Sequence, residues 1–83
     1  MTAVHEQVYE IIAREGSIDR AQIRPEATMR DLEVESLDVV QIIAAIEEAF
    51  GIFLPYDDPS FDIQTAGGLC EAVERLLAQK QTA

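Results

Sequence analysis

Ser36-Leu-Asp-Val-Val-Gln-Ile-Ile-Ala-Ala-Ile-Glu-Glu-Ala-Phe50 is the stretch on which the fold turns. At about 100° per residue, Val39, Ile42, Ile43, Ile46, Ala49 and Phe50 gather on one side. Gly51 and Pro55 follow, the first a common helix stop and the second a residue that cannot resume one. The spacing therefore predicts a helix over 36–50 with its apolar side on a core. The opposite side is mixed, with Leu37, Val40 and Ala44 set among Asp38, Gln41, Glu47 and Glu48. A helix that only covered a core would need no apolar residues there. Several along one acidic face read as a docking surface.

Working outward from this helix, the rest of the chain reads as helical too. Val4, Val8, Ile11 and Ile12 follow helical spacing, and Gly16 supplies a stop. A long loop then runs to the second helix, punctuated by Ser17, Asp19, Pro25 and Thr28 and pinned by Ile18, Ile23, Met29 and Leu32. Thr28 with Asp31 three residues on resembles a capping pair and predicts a single helical turn. Pro55 and Pro59, flanked by acids, leave room up to Phe61 for only a loop or one short helix. Thr65 reads as the N-cap of a last helix carrying Leu69, Val73, Leu76 and Leu77, and Gln79 to Ala83 reads as fraying. No internal repeat, low-complexity segment or strand pair is visible. The expected fold class is all-α, a small four-helix bundle of three main helices and one short one.

The chain has 83 residues, enough for one domain over 1–83, with 3–79 structured and 80–83 a frayed tail. Apolar residues at 48% and charged residues at 27% fit a globular core. Charge is the outlier, with 16 acids against 6 bases and a net charge of −10. Such a surface repels phosphate backbones and anionic membranes, so nucleic acid and membrane insertion are excluded, and strong self-association is disfavoured in favour of a monomer. No stretch approaches the roughly 20 apolar residues that span a bilayer, and charged residues from His5 and Glu6 onward exclude a signal peptide. Cys70 is alone, which suits a reducing compartment and points to the cytoplasm.

The acids are segregated. Between Asp31 and Glu74 there is no Lys or Arg, while Arg14, Arg20, Arg24, Arg30, Arg75 and Lys80 all lie outside. Taken singly the acids read as a solvated surface, but together they point to steering toward a basic partner. Calcium is the other reason to concentrate acids. An EF-hand loop starting at Asp58 would need Gly and Glu where Ile63 and Leu69 stand, and one starting at Asp31 meets Ser36 and Ile42 there. Neither loop is viable.

Ser36 opens the long helix. Taken alone it reads as an N-cap, since Ser is a preferred residue there. A serine hydrolase is a poor reading, because no Gly-x-Ser-x-Gly elbow surrounds it and His5 is the only candidate base. Ser36 could instead carry a group, because the helix dipole and free amides favour an attached phosphate at this position. Glu35 and Asp38 would oppose that phosphate locally and are better explained as contacts for a basic modifying enzyme.

From the first helix through Ile23-Arg-Pro-Glu-Ala-Thr28, Asp31-Leu32, Glu35-Ser36-Leu37-Asp38, Ile46-Glu-Glu-Ala-Phe50 and Leu54-Pro55 to the last helix, the chain resembles the acyl carrier protein family. The resemblance implies that Ser36 receives 4′-phosphopantetheine from coenzyme A through a phosphodiester, and that its thiol holds an acyl or aminoacyl group as a thioester. It implies a discrete carrier, not an enzyme, that presents cargo to successive enzymes. It also makes the second helix the recognition helix, with Leu37 and Val40 in apolar contact and Glu35, Asp38, Gln41, Glu47 and Glu48 facing basic partners. The implied partners are a phosphopantetheinyl transferase of the holo-carrier-synthase type, a loading ligase, and synthases and transferases with basic docking patches.

Some positions depart from the family. Glu35 stands where Asp commonly precedes the modified serine, Glu33 where Gly is usual, and Gln41 where fatty-acid carriers are often acidic. The stretch between Pro55 and Thr65 diverges as well. These departures favour a specialised lipid or secondary-metabolite pathway, and the Glu33 change implies an altered loop backbone. The alternative function is an acidic helical interaction module with no prosthetic group. His5 and Cys70 read as packed residues without chemistry. Gly67 and Gly68, poor helix formers, either permit close approach of the last helix or leave room for an acyl chain beside Ala44, Ala45 and Ala72.

Overall fold

The computed structural model describes residues 3–55 and 63–82. These form three α-helices, α1 (Ala3–Gly16), α2 (Ser36–Phe50) and α3 (Ala66–Thr82), with a 3₁₀ turn at Arg20–Gln22 in the long loop. No strand occurs among the described residues beyond an isolated bridge between Thr28 and Thr65. The short fourth helix expected between Pro55 and Thr65 falls outside the described residues. The chain is an all-α bundle in which α1 is the shared partner, packing against both α2 and α3.

The apolar spacing places the core. Val8, Ile11 and Ile12 of α1 meet Ile42, Ile43 and Ile46 of α2 and Leu69, Cys70, Ala72 and Val73 of α3 in one buried cluster. Ile12, Ile46 and Leu54 are completely shielded from solvent, each burial stabilising the fold by about 1.5–3 kcal/mol. Ile23 and Met29 anchor the long loop in the same cluster, with Ile18 and Leu32 packed against it. Ala49, expected on the core side of α2, is exposed instead, and the half-buried Ala45 packs against the core.

Helix ends follow local chemistry, with two departures from expectation. α1 keeps Gly16 as its last helical residue, and it is Ser17 that turns left-handed (φ 56), so that Ile18 N–H reaches Ala13 O at 2.9 Å. α2 closes on Gly51 (φ 65), whose N–H donates to Glu47 O at 2.9 Å. α3 does not fray from Gln79. It stays helical to Thr82, and Lys80 Nζ donates to Gly51 O at 3.0 Å, tying the ends of α3 and α2 together.

The long loop is fixed at three levels. Asp19 caps the 3₁₀ turn through Ala21 N–H at 3.0 Å. Thr28 and Asp31 form the expected reciprocal pair, Thr28 N–H to Asp31 Oδ2 at 3.2 Å and Asp31 N–H to Thr28 Oγ1 at 2.9 Å. The loop is then stitched to the start of α3 by Met29 N–H to Gln64 O (3.0 Å), Ala66 N–H to Ala27 O (2.9 Å) and Gly67 N–H to Pro25 O (2.8 Å). Gly67 is small for this reason, since a Cβ there would sit 2.9 Å from Pro25 O. Close approach, not space for cargo, accounts for it.

Past α2, Glu47 Oε2 accepts from the N–H of fully buried Leu54 at 2.8 Å. Replacing Glu47 by Ala leaves that donor unsatisfied, at a cost of about 1–3 kcal/mol. The expected result is a lower melting temperature and fast amide exchange at Leu54; unchanged protection of that amide would show that the bond does not hold the loop.

Candidate functional site

The site is built at the junction between the capped turn and α2. The turn at 28–33 ends with Glu33 in the left-handed region (φ 58), and Val34 N–H donates to Met29 O at 3.0 Å. A glutamate there carries roughly 1–2 kcal/mol of backbone strain that Gly would not. The turn is thus left-handed at Glu33 in spite of its side chain.

Glu35, not Ser36, is the N-cap of α2, with extended backbone (φ −76, ψ 160) and no side-chain capping bond. Val39 N–H donates to Glu35 O at 3.0 Å. Ser36 is thus the first helical residue and is exposed. The reading of Ser36 as the N-cap is corrected. Its hydroxyl stands at the helix end with the first amides of α2 lacking a side-chain cap, a setting that accepts an attached anion. The residues present fit a phosphodiester on Ser36.

Along the outward side of α2, Leu37 and Val40 are exposed at 68% and 62%. Gln41, Ala44 and Glu48 are exposed beside them, as is Glu35 at the helix entrance, while Asp38 is half-buried on the flank. Glu47 is set apart from this group by its bond to the Leu54 amide. Phe53, exposed at 72%, extends the apolar surface beyond the helix. Sequence periodicity missed it because it follows the helix stop. A cleft of about 440 Å³ opens between Val39, Val40, Ile43, Ala44, Glu47, Phe53 and Ile63.

Cys70 is fully buried, and burial pushes its thiol up to about 11 despite a hydrogen bond from Tyr9. Tyr9 is itself raised to about 12, chiefly by burial, with the Arg20 guanidinium 4.6 Å from its ring centroid. Arg20 also reaches Glu6 at 3.5 Å, and His5 Nε2 lies 3.1 Å from Glu74 Oε1 on α3. This cluster pins α1 to the loop and to α3. Both raised groups are neutral in the folded chain and would ionise near 9 and 10 when unfolded. Their contribution to stability is therefore complete below pH 9 and is lost as pH rises through about 12. The expected results are a denaturation midpoint that falls from pH 9 to 12 and a thiol that maleimide labels at neutral pH only after unfolding. A flat alkaline profile with rapid native labelling would refute this account.

Residues 6–73 match a family model described as a phosphopantetheine attachment site. The chain belongs to the acyl carrier protein family. It is 38% identical over 73 residues to an acyl carrier protein of Helicobacter pylori strain G27, covering 87% of this chain and 92% of the relative. It is 34% identical over 92 aligned positions to the acyl carrier protein AcpXL of Brucella melitensis, covering 98% and 99%. It is also 47% identical over 58 residues to AcpXL of Rhizobium etli, covering 69% and 63%. The family decides between the two functions left open by the residues. This acyl carrier protein is a carrier of covalently attached 4′-phosphopantetheine and not a catalyst, and it interacts with a phosphopantetheinyl transferase and acyl-handling enzymes. No described helix is long and apolar enough to cross a membrane.

Proposed function

We propose that Ser36 is the attachment point of 4′-phosphopantetheine and that the outward side of α2 is the surface partner enzymes read. The observation that carries this is the position of Ser36, exposed as the first residue of α2 while Glu35 takes the capping place. When bound, the prosthetic group supplies the thiol that holds an acyl or aminoacyl cargo as a thioester. The chain's own residues supply position. α2 is fixed by Ile42, Ile43 and Ile46 in the core, so the hydroxyl is presented on a rigid element.

Leu37 and Val40 form a small apolar centre, with Glu35, Asp38, Gln41 and Glu48 around it for Arg and Lys on a transferase, a loading ligase or a synthase. Charge pairs at such a rim speed encounter without fixing the complex, as successive handover requires. Glu47 contributes charge nearby while holding the Leu54 amide. The shielded Cys70 completes the arrangement. With its thiol raised to about 11, on the order of one molecule in ten thousand is thiolate at neutral pH. The carrier's own cysteine does not compete for the thioester.

Carriers with the separate name AcpXL stand among the similar proteins beside plain acyl carrier proteins. Together with Glu35 and Gln41, this supports a specialised lipid or secondary-metabolite pathway in the cytoplasm. The test is intact-protein mass spectrometry after incubation with coenzyme A and a broad-specificity phosphopantetheinyl transferase. One added phosphopantetheine on the peptide containing Ser36 is expected. Addition at any other residue, or none on folded protein, overturns the assignment.

A further inference from the structure

Leu37, Val40 and Phe53 are the large apolar side chains that stand exposed among the described residues. Exposed apolar residues scattered singly carry no meaning, but these are not scattered. Val40 and Phe53 line the same cleft of about 440 Å³ together with Ile43 and Ala44, and Leu37 lies one helical turn before Val40. Phe53 also lines a second cleft, of about 430 Å³, with Ile52 and Leu76. It is therefore a projecting aromatic with open space on two sides.

We propose that Phe53, Val40 and Ala44 form a docking point at the far end of α2, where an acyl-handling enzyme seats an apolar side chain flanked by Arg or Lys. The proposal deepens the reading of α2 as the surface partners read, and it rests on attachment at Ser36, which supplies the arm such an enzyme acts on. Continuity is the first support. Leu37, Val40, Ala44 and Glu48 follow one another at spacings of three and four, so they share one side of α2. The cleft carries that side past the helix stop at Gly51.

Charge chooses the occupant. Glu47 lines the cleft, and Glu48 is exposed one turn after Ala44. An acyl chain in the cleft would leave these carboxylates unmatched, and a second copy of the chain would bring another net charge of −10. An apolar side chain set among cations matches both the cleft and its rim. Distance chooses the kind of enzyme. The 15-residue helix puts the far end of α2 roughly 20 Å from Ser36. A transferase must bring its reacting centre to the Ser36 hydroxyl, but an enzyme acting on the thioester works at the other end of the arm and is free to seat on the far half of α2.

The anchor is also fixed in advance. Leu54, next to Phe53, is fully buried with its N–H held by Glu47 Oε2 at 2.8 Å, and Gly51 O accepts from Lys80 Nζ at 3.0 Å. Phe53 is thus presented from a backbone tied on both sides, which lowers the ordering cost of docking, and aromatic anchors of this kind carry much of an interface's affinity.

The test uses the full chain loaded by a broad-specificity phosphopantetheinyl transferase, with a soluble ligase that joins octanoate to the arm's thiol at the expense of ATP. Phe53→Ala should melt as the parent does and load to completion by intact mass. Its KM as a substrate of the ligase should rise about five- to thirtyfold, with kcat changed less than about twofold. Phe53→Leu should recover most of the parent's KM, because the demand is for apolar bulk. Titrating the ligase into labelled, loaded carrier should shift the amides of Val40, Ala44 and Phe53. An unchanged KM for Phe53→Ala overturns the proposal. So do shifts of those amides on octanoylation alone, which give the cleft to the cargo, or shifts that grow with carrier concentration alone, which give it to a second copy. Absence of any mass gain on the folded parent overturns the attachment reading itself and the docking point with it.

Discussion

Ser36→Ala is expected to fold as the parent does and to take up no phosphopantetheine at all. On the proposed assignment the phosphodiester forms on this hydroxyl, so its removal leaves nothing to load, and the threonine hydroxyls of the turn and of the α3 cap are otherwise engaged. Thr28 Oγ1 and Thr65 Oγ1 accept from Asp31 N–H and Gly68 N–H, both at 2.9 Å, and so are engaged in capping. Stability should change little. Glu35 holds the capping position, Ser36 is exposed, and Ala is well suited to a first helical turn, so the change should stay within about 0.5 kcal/mol. A serine that capped the helix would lose about 1 kcal/mol on the same substitution. Thermal melts and intact mass on one sample therefore read two things. A variant that still gains phosphopantetheine moves the site elsewhere, and a variant destabilised by a full kcal/mol returns Ser36 to a capping role.

The largest effect on stability is expected from Ile46→Ala. Ile46 is fully buried in the middle of the cluster formed by α1, α2 and α3. Truncation removes buried methyl groups and leaves a cavity, at a cost of about 2–5 kcal/mol. A domain this small has only about 5 kcal/mol or somewhat more to lose. The net charge of −10 adds self-repulsion, so the variant should be partly unfolded at low salt and regain structure as salt rises. The check is urea unfolding at low and high salt. A midpoint within experimental error of the parent would mean that the core around α2 collapses to fill the space, and that α2 does not depend on this contact.

Much of this was legible because it is local. The apolar spacing of Ile42, Ile43 and Ile46, the Thr28–Asp31 pair and the Thr65 cap each involve residues within one or two helical turns, where sequence distance and spatial distance agree. Thr65 Oγ1 does accept from Gly68 N–H, as a cap should. The identity of the cap on α2 was not legible, because Glu35 and Ser36 are adjacent and the choice between them is a matter of backbone angle. Glu47 could not be separated from the other acids of α2, since its bond goes to a residue beyond the helix stop. The Tyr9–Cys70 contact and the Lys80–Gly51 tie were invisible for the same reason on a larger scale. They join residues brought together only by the packed fold. Lys80 holding Gly51 O is why the end of α3 stays helical where the sequence alone reads as a frayed tail.

The stitching of the long loop to α3 also bears on how such a protein can diversify. Pro25, Ala27 and Met29 meet Gly67, Ala66 and Gln64 through main-chain atoms alone. Such contacts make almost no demand on side-chain identity, except at Gly67, where a larger residue would strike the Pro25 carbonyl. The exposed positions Arg24, Pro25 and Glu26 are therefore open to drift without moving the path of the chain. A lineage can recast that outer surface for a new client enzyme while the launching point of α2 stays where it was.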